Sequence, residues 1–142
     1  MILVDDHLLL RVLVGVAPQD LTGESIATTT GWWWRALSPL ATARSVGGQH
    51  SRFAEALSPP EAQALWETLC MVGRPGSLIS MPELVELGPA MAWLARNDGL
   101  NRLTAEAIAV AMDRSATIWV RTGNEGRLVE MSTRYGIEVV VV

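Results

Sequence analysis

The sequence predicts an α/β fold in three layers, a central and mostly parallel sheet of four or five strands with helices on both faces. Two features predict it. Short apolar runs alternate with stretches of helical spacing, the pattern that a parallel sheet with crossover helices requires. The first run, MILV, is apolar at every position, as a strand covered on both faces must be. Strands are expected over residues 1–4, 26–29, 117–120 and 138–141, and a chain of 142 residues suits one domain, 1–142, with a core of its own.

In order along the chain, residues 1–4 end at the pair Asp5-Asp6, and HLLLRVLVGV follows as a buried first helix with Gly15 and Pro18 as stop signals. TGESIATTT offers the β-branched run of a second strand, closed by Gly31. GWWWRALSPLA is expected to form a short helix or turn broken at Pro39, and TARSVGGQH a loop. Residues 51–57 have helical character. A new helix opens at Ser58-Pro59-Pro60-Glu61, where serine caps, proline occupies the first turn and glutamate reaches back. It is expected to stop at Gly73. GRPGSLIS turns the chain into a short apolar segment, and MPELVELGPAMAWLARN reads as one or two helices interrupted near Gly88-Pro89, with Leu84, Leu87, Met91 and Leu94 at helical spacing. The last third is clearest, with LTAEAIAVAMDR a helix, ATIWVRT a strand, NEGRLVEMSTRYG a helix closed by Gly136, and IEVVVV the final strand.

Composition excludes several classes. Cys70 is the only cysteine, so no internal disulfide forms, and its apolar surroundings predict a buried thiol. No apolar run approaches the roughly twenty residues that span a bilayer, and no leader pattern opens the chain, so a soluble, cytoplasmic protein is expected. With 11 basic and 15 acidic residues the net charge is −4, which disfavours nonspecific attraction to nucleic acid. Attraction must be local. The stretch between Glu24 and Glu55 has no acid and carries Arg35, Arg44, His50 and Arg52 beside three consecutive tryptophans, Trp32, Trp33 and Trp34. Three in a row cannot all face one core. Two core anchors and one exposed residue are expected, and an exposed tryptophan beside arginine is suited to stacking unpaired bases.

Ligands gather where the strands of such sheets finish, which makes Asp5 the first candidate for function. The competing assignment is that Asp5 or Asp6 caps the following helix. Asp6, Glu106 and Asn124 or Glu125 fall at other strand ends or helix starts that can share the same edge. Oxygen ligands of this kind suit Mg²⁺ or Mn²⁺ and a metal-assisted phosphodiester cleavage. The alternative for Glu106 is a glutamate in the first turn of its own helix, favoured there by the dipole. Two histidines and one cysteine without close spacing argue against zinc, and neither a nucleophile elbow nor a phosphate loop is present.

MILVD at the start and RLTAEAIAVAMDRSATIWVRTGNEGRLVEMSTRYGIEVVVV at the end resemble the PIN-domain nucleases, including the ribonuclease toxins of toxin–antitoxin pairs. Asp5, Glu106, Thr122, Asn124 and Gly136 stand where that family's pattern places its strand-end acid, helix-opening acid, threonine, Asp or Asn, and glycine. The family's glutamate in the helix after the second strand has no counterpart in SIATTTGWWWRAL, where Arg35 is the only charge. The resemblance implies a metal site of Asp5, Asp6 and Glu106, catalysis by Asp5, Glu106 and Asn124, a homodimer, and an antitoxin partner. RNA is expected to meet Arg35, Arg52, Trp33 and Trp34. The alternative is a catalytically degenerate PIN-like module that binds RNA or protein. Asp5→Asn is expected to abolish any cleavage while leaving the domain folded.

Overall fold

The computed structural model describes residues 1–41, 53 and 55–142. The loop expected over 42–50, and positions 51, 52 and 54 of the helical segment expected over 51–57, lie outside them. Strands β1 (Ile2–Val4), β2 (Ile26–Ala27), β3 (Ile79–Ser80), β4 (Thr117–Val120) and β5 (Val139–Val141) form one sheet in the order β3-β2-β1-β4-β5, every neighbouring pair parallel. The α/β class is as the sequence predicts. The fifth strand is the two-residue piece inside GRPGSLIS.

Side chains on β1 alternate between the two faces, as strand geometry requires. Leu3 joins Ala27, Ile108, Ile118 and Val120 on one side, whereas Ile2 and Val4 join Leu8, Leu9, Leu37, Leu65 and Leu69 on the other. Helices α1 (Asp6–Leu13), α2 (Thr30–Ala41) and α3 (Pro59–Met71) cover the second face. Helices α4 (Leu84–Asp98), α5 (Arg102–Arg114) and α6 (Leu128–Tyr135) cover the first. The cap of α3 is the predicted box, Ser58 and Glu61 each bonding the other's backbone N–H. Cys70 is half-buried against the second core rather than fully inside it.

Two proline expectations are corrected. Helix α2 runs through Pro39 and α4 runs through Gly88-Pro89 without a break. Pro39 falls in the last turn of α2, where few bonds depend on it. Pro89 removes a bond to the carbonyl of Val85, a residue 80% exposed, where water can replace the lost donor.

The carboxyl end of α4 is pinned to α6 by Asp98, whose side chain is fully buried. The Tyr135 hydroxyl donates to its Oδ2, Arg134 Nη1 lies 2.5 Å from Oδ1 as an ion pair not angled for a hydrogen bond, and Arg127 Nη1 donates to its carbonyl oxygen at 2.7 Å. The bond to Asp98, then burial, then the Asp98 charge hold the Tyr135 phenol above its ordinary value, against the opposing pull of Arg134. Folding therefore favours the protonated phenol. Its contribution is present below the unfolded value of about 10 and is lost as pH rises through the higher folded value. Since Tyr135 is the only tyrosine, a spectrophotometric titration reads it directly. The expected midpoint lies above that of free tyrosine and moves back towards it in Asp98→Asn; a midpoint at the free value in the wild type would contradict the pairing.

Candidate functional site at the carboxyl edge of the sheet

Strand order reverses once, between β1 and β4, and in doubly wound sheets ligands bind in the crevice outside the carboxyl ends of the strands at such a switch point. Asp5 follows β1 there, tied to β4 by its backbone N–H on the carbonyl of Trp119 at 3.2 Å. Its Oδ1 accepts from the N–H of Leu8 at 2.8 Å, which makes Asp5 the N-cap of α1. Its Oδ2 accepts from the N–H of Arg121 at 3.0 Å and from Asn124 Nδ2 at 2.7 Å. Capping and site geometry are thus joined in one carboxylate.

Asn124 reaches Asp5 because the chain after β4 doubles back. The Arg121 carbonyl accepts from the Asn124 N–H at 2.9 Å, and the third residue of that turn, Gly123, has φ +89°, which glycine takes without strain. The same Nδ2 of Asn124 donates to Asp6 Oδ1 at 3.0 Å. Asp6 Oδ2 lies 2.9 Å from Arg35 Nε on α2, with the Asp6 side chain fully buried and that of Arg35 39% exposed. Arg121 Nη1 stands 3.3 Å from His7 Nδ1 on the next position of α1.

Glu106 has a different role from either expectation. It lies beyond the first turn of α5 and points at the start of another helix. Its Oε1 accepts from the N–H of Thr30 at 2.7 Å and its Oε2 from the N–H of Gly31 at 3.0 Å. The next donor of α2, the Trp32 N–H, goes to the Thr29 hydroxyl at 3.1 Å. A fully buried carboxylate therefore satisfies the positive end of α2. The close approach needs a glycine, because a Cβ on residue 31 would lie 2.9 Å from Glu106 Oε2 and collide with Leu103.

The hydrogen bonds join Asp5, Asp6 and Asn124 and commit Glu106 to α2 at the same edge. Trp32 is buried, Trp33 is half-buried with its indole N–H donated to the Leu69 carbonyl at 2.8 Å, and Trp34 is 64% exposed. Two anchors and one surface residue are what three adjacent tryptophans predict. Trp33, expected to meet RNA, ties α2 to α3 through this indole bond. Arg52 lies outside the described residues.

A cleft of about 250 Å³ opens beside the carboxylates, lined in part by Trp32, Arg35, Asn101, Thr104, Asn124 and Arg127. Sequence reasoning missed Asn101, Thr104, Arg121 and Arg127. Only Asn101 carried a signal, an Asn before a helix, and it does cap α5 through the N–H of Thr104 at 3.0 Å.

A hard divalent cation needs carboxylate oxygens turned towards it. Here each carboxylate oxygen of Asp5, Asp6 and Glu106 already faces a nitrogen donor, with Asn124 Nδ2 and Arg35 Nε placed where like charges would otherwise meet. Among the described residues no group of three His, Cys, Asp or Glu is arranged to hold a metal ion. As folded, a Mg²⁺ or Mn²⁺ held here would have to share or displace these nitrogen donors. The acids are compensated from within the chain. No family model and no curated protein matches the sequence. Among the described residues no helix is long and apolar enough to cross a membrane.

Proposed function

We propose that the chain is a catalytically reduced PIN-like domain that binds single-stranded RNA at the carboxyl edge of its sheet, in the cytoplasm. The observation that carries this reading is the cleft at the switch point, where Arg35 is held by Asp6 with its side chain still 39% exposed. Arg35 meets the phosphate backbone. Trp34 on the same helix supplies an exposed aromatic face for a base. The second reading is a Mg²⁺- or Mn²⁺-dependent ribonuclease, the toxin of a toxin–antitoxin pair with an antitoxin protein as partner. One observation favours it, the meeting of Asp5, Asp6 and Asn124 within hydrogen-bond distance at the place where such sheets bind ligands.

One experiment separates them. Single-stranded RNA is titrated with wild type, Arg35→Ala and Trp34→Ala by fluorescence anisotropy at several salt concentrations, and the same mixtures are run on gels with and without Mn²⁺. Binding without cleavage is expected. Arg35→Ala should reduce the salt slope by about one unit, and Trp34→Ala should weaken binding by about 1–3 kcal/mol. Absence of binding overturns the RNA reading, and Mn²⁺-dependent cleavage that Asp5→Asn removes establishes the ribonuclease.

A further inference from the structure

Two amide side chains that line the cleft are locked in orientation by the bonds they already make. Asn124 turns Nδ2 to Asp5 Oδ2 at 2.7 Å and to Asp6 Oδ1 at 3.0 Å, and since ionised carboxylates only accept, the flipped amide is excluded. Its Oδ1 is left as an acceptor. Among the described residues Asp98 Oδ1 is the one buried side-chain atom without a hydrogen bond, so the unbonded oxygen of half-buried Asn124 is in reach of solvent. Asn101 is held the opposite way round. Its Oδ1 accepts from the N–H of Thr104 at 3.0 Å as the cap of α5, which leaves Nδ2 as a donor. The Thr104 hydroxyl lines the same cleft and can serve either way.

We infer that the cleft takes in one unpaired base and reads its edge, Asn124 Oδ1 accepting from the base and Asn101 Nδ2 donating to it, so that binding depends on the RNA sequence. This use of the cleft rests on the RNA-binding reading of the same edge. A phosphate offers acceptors only, so a fixed acceptor inside the cleft selects a group with an N–H to give. A base edge carries donors and acceptors together, and both fixed atoms find partners on it. Size agrees. About 250 Å³ lies below the roughly 300–1,000 Å³ of sites for drug-sized ligands, a space for one base rather than a stacked pair. Of the two arginines that line it, Arg127 is occupied by Glu130 and by the carbonyl of Asp98, which leaves Arg35 for the neighbouring phosphate. Trp34 stacks on any base, since every base has a face. The amides are what tell one base from another.

The test titrates the full chain with short oligomers of A, C, G and U by fluorescence anisotropy, in a lithium buffer that keeps the guanosine strand single. Wild type, Asn101→Ser and Asn101→Asp are compared. Serine and aspartate cap a helix about as well as asparagine, so both variants should keep the wild-type circular dichroism. The wild type is expected to bind its best homopolymer roughly tenfold more tightly than its worst. Asn101→Ser removes the donor and should shrink that ratio towards the modest preference that stacking leaves. Asn101→Asp sets an acceptor where the donor stood and should change the order of the four. Lost stability or an added charge scales all four affinities together, so the ratio reads the hydrogen bonds alone. Equal affinity of the wild type for all four, or a ratio that Asn101→Ser leaves unchanged, overturns the base-reading inference while RNA binding stands. Absence of binding to any of them overturns RNA binding and base reading together.

Discussion

Glu106→Gln is expected to destabilise the protein by about 3 kcal/mol, because a hydrogen bond to a buried charge contributes roughly 1.5–3 kcal/mol and this carboxylate makes two, at the positive end of a helix. Glutamine keeps the shape of the side chain, but it has one carbonyl oxygen for two backbone donors. Its NH₂ group would be forced against the N–H of Thr30 or of Gly31. Gly31 admits no easy retreat, since α5 already lies against it through Leu103. For a domain of this size the loss corresponds to a melting temperature lower by roughly 10 °C. The measurement is thermal unfolding in metal-free buffer. It separates two roles for Glu106, because a metal ligand without its metal is an uncompensated charge whose removal should be neutral or stabilising. A melting temperature unchanged or raised in Glu106→Gln would therefore restore the metal role and undo the helix-tethering one.

The contrast between what the sequence foretold and what it did not follows from the range of the interactions. Strand β1, helix α5, strand β4, helix α6 and strand β5 are legible because each announces itself locally, by an apolar run, a 3.6-residue period, or a closing glycine such as Gly136 with φ +65°. Helices α2 and α4 are misjudged at proline, because the cost of that residue depends on whether water reaches the carbonyl it leaves unpaired, and exposure is a tertiary property. Strand β3 is two residues long and has no period to read. At the site, Asp5 is found from its place after β1, and its capping role is equally local. The partners of Glu106 are not, since Gly31 lies 75 residues away in the chain. Arg35 stands out in the sequence as a positive residue, yet nothing in its surroundings foretells that its first partner is Asp6. With Arg35 on Asp6 and Asn124 between Asp5 and Asp6, the charges of this edge are offset from within the chain.

Asp5→Asn is expected to lose about 2–3 kcal/mol of stability, contrary to the view that a strand-end carboxylate contributes charge to the site and little to the fold. Half of the residue's work survives, because asparagine caps a helix about as well as aspartate and its carbonyl can still accept from Leu8. The other half fails. The new NH₂ group would face the N–H of Arg121 and the NH₂ of Asn124, three donors with no acceptor among them, in a residue with no exposed surface. A double-mutant cycle tests this explanation against a general one. Asn124→Ala in the wild type removes bonds to Asp5 and Asp6 and should cost about 1–2 kcal/mol. In the Asp5→Asn background it removes one of the clashing donors and should cost clearly less, so the two changes should couple rather than add. Urea unfolding of the four proteins reads the coupling, and strict additivity would refute the donor clash. The same numbers govern how any loss of RNA cleavage or binding in Asp5→Asn is to be interpreted, since a variant weakened this far can lose function by unfolding. Activity should be compared at a temperature where both proteins are fully folded, and a deficit that persists there belongs to the site.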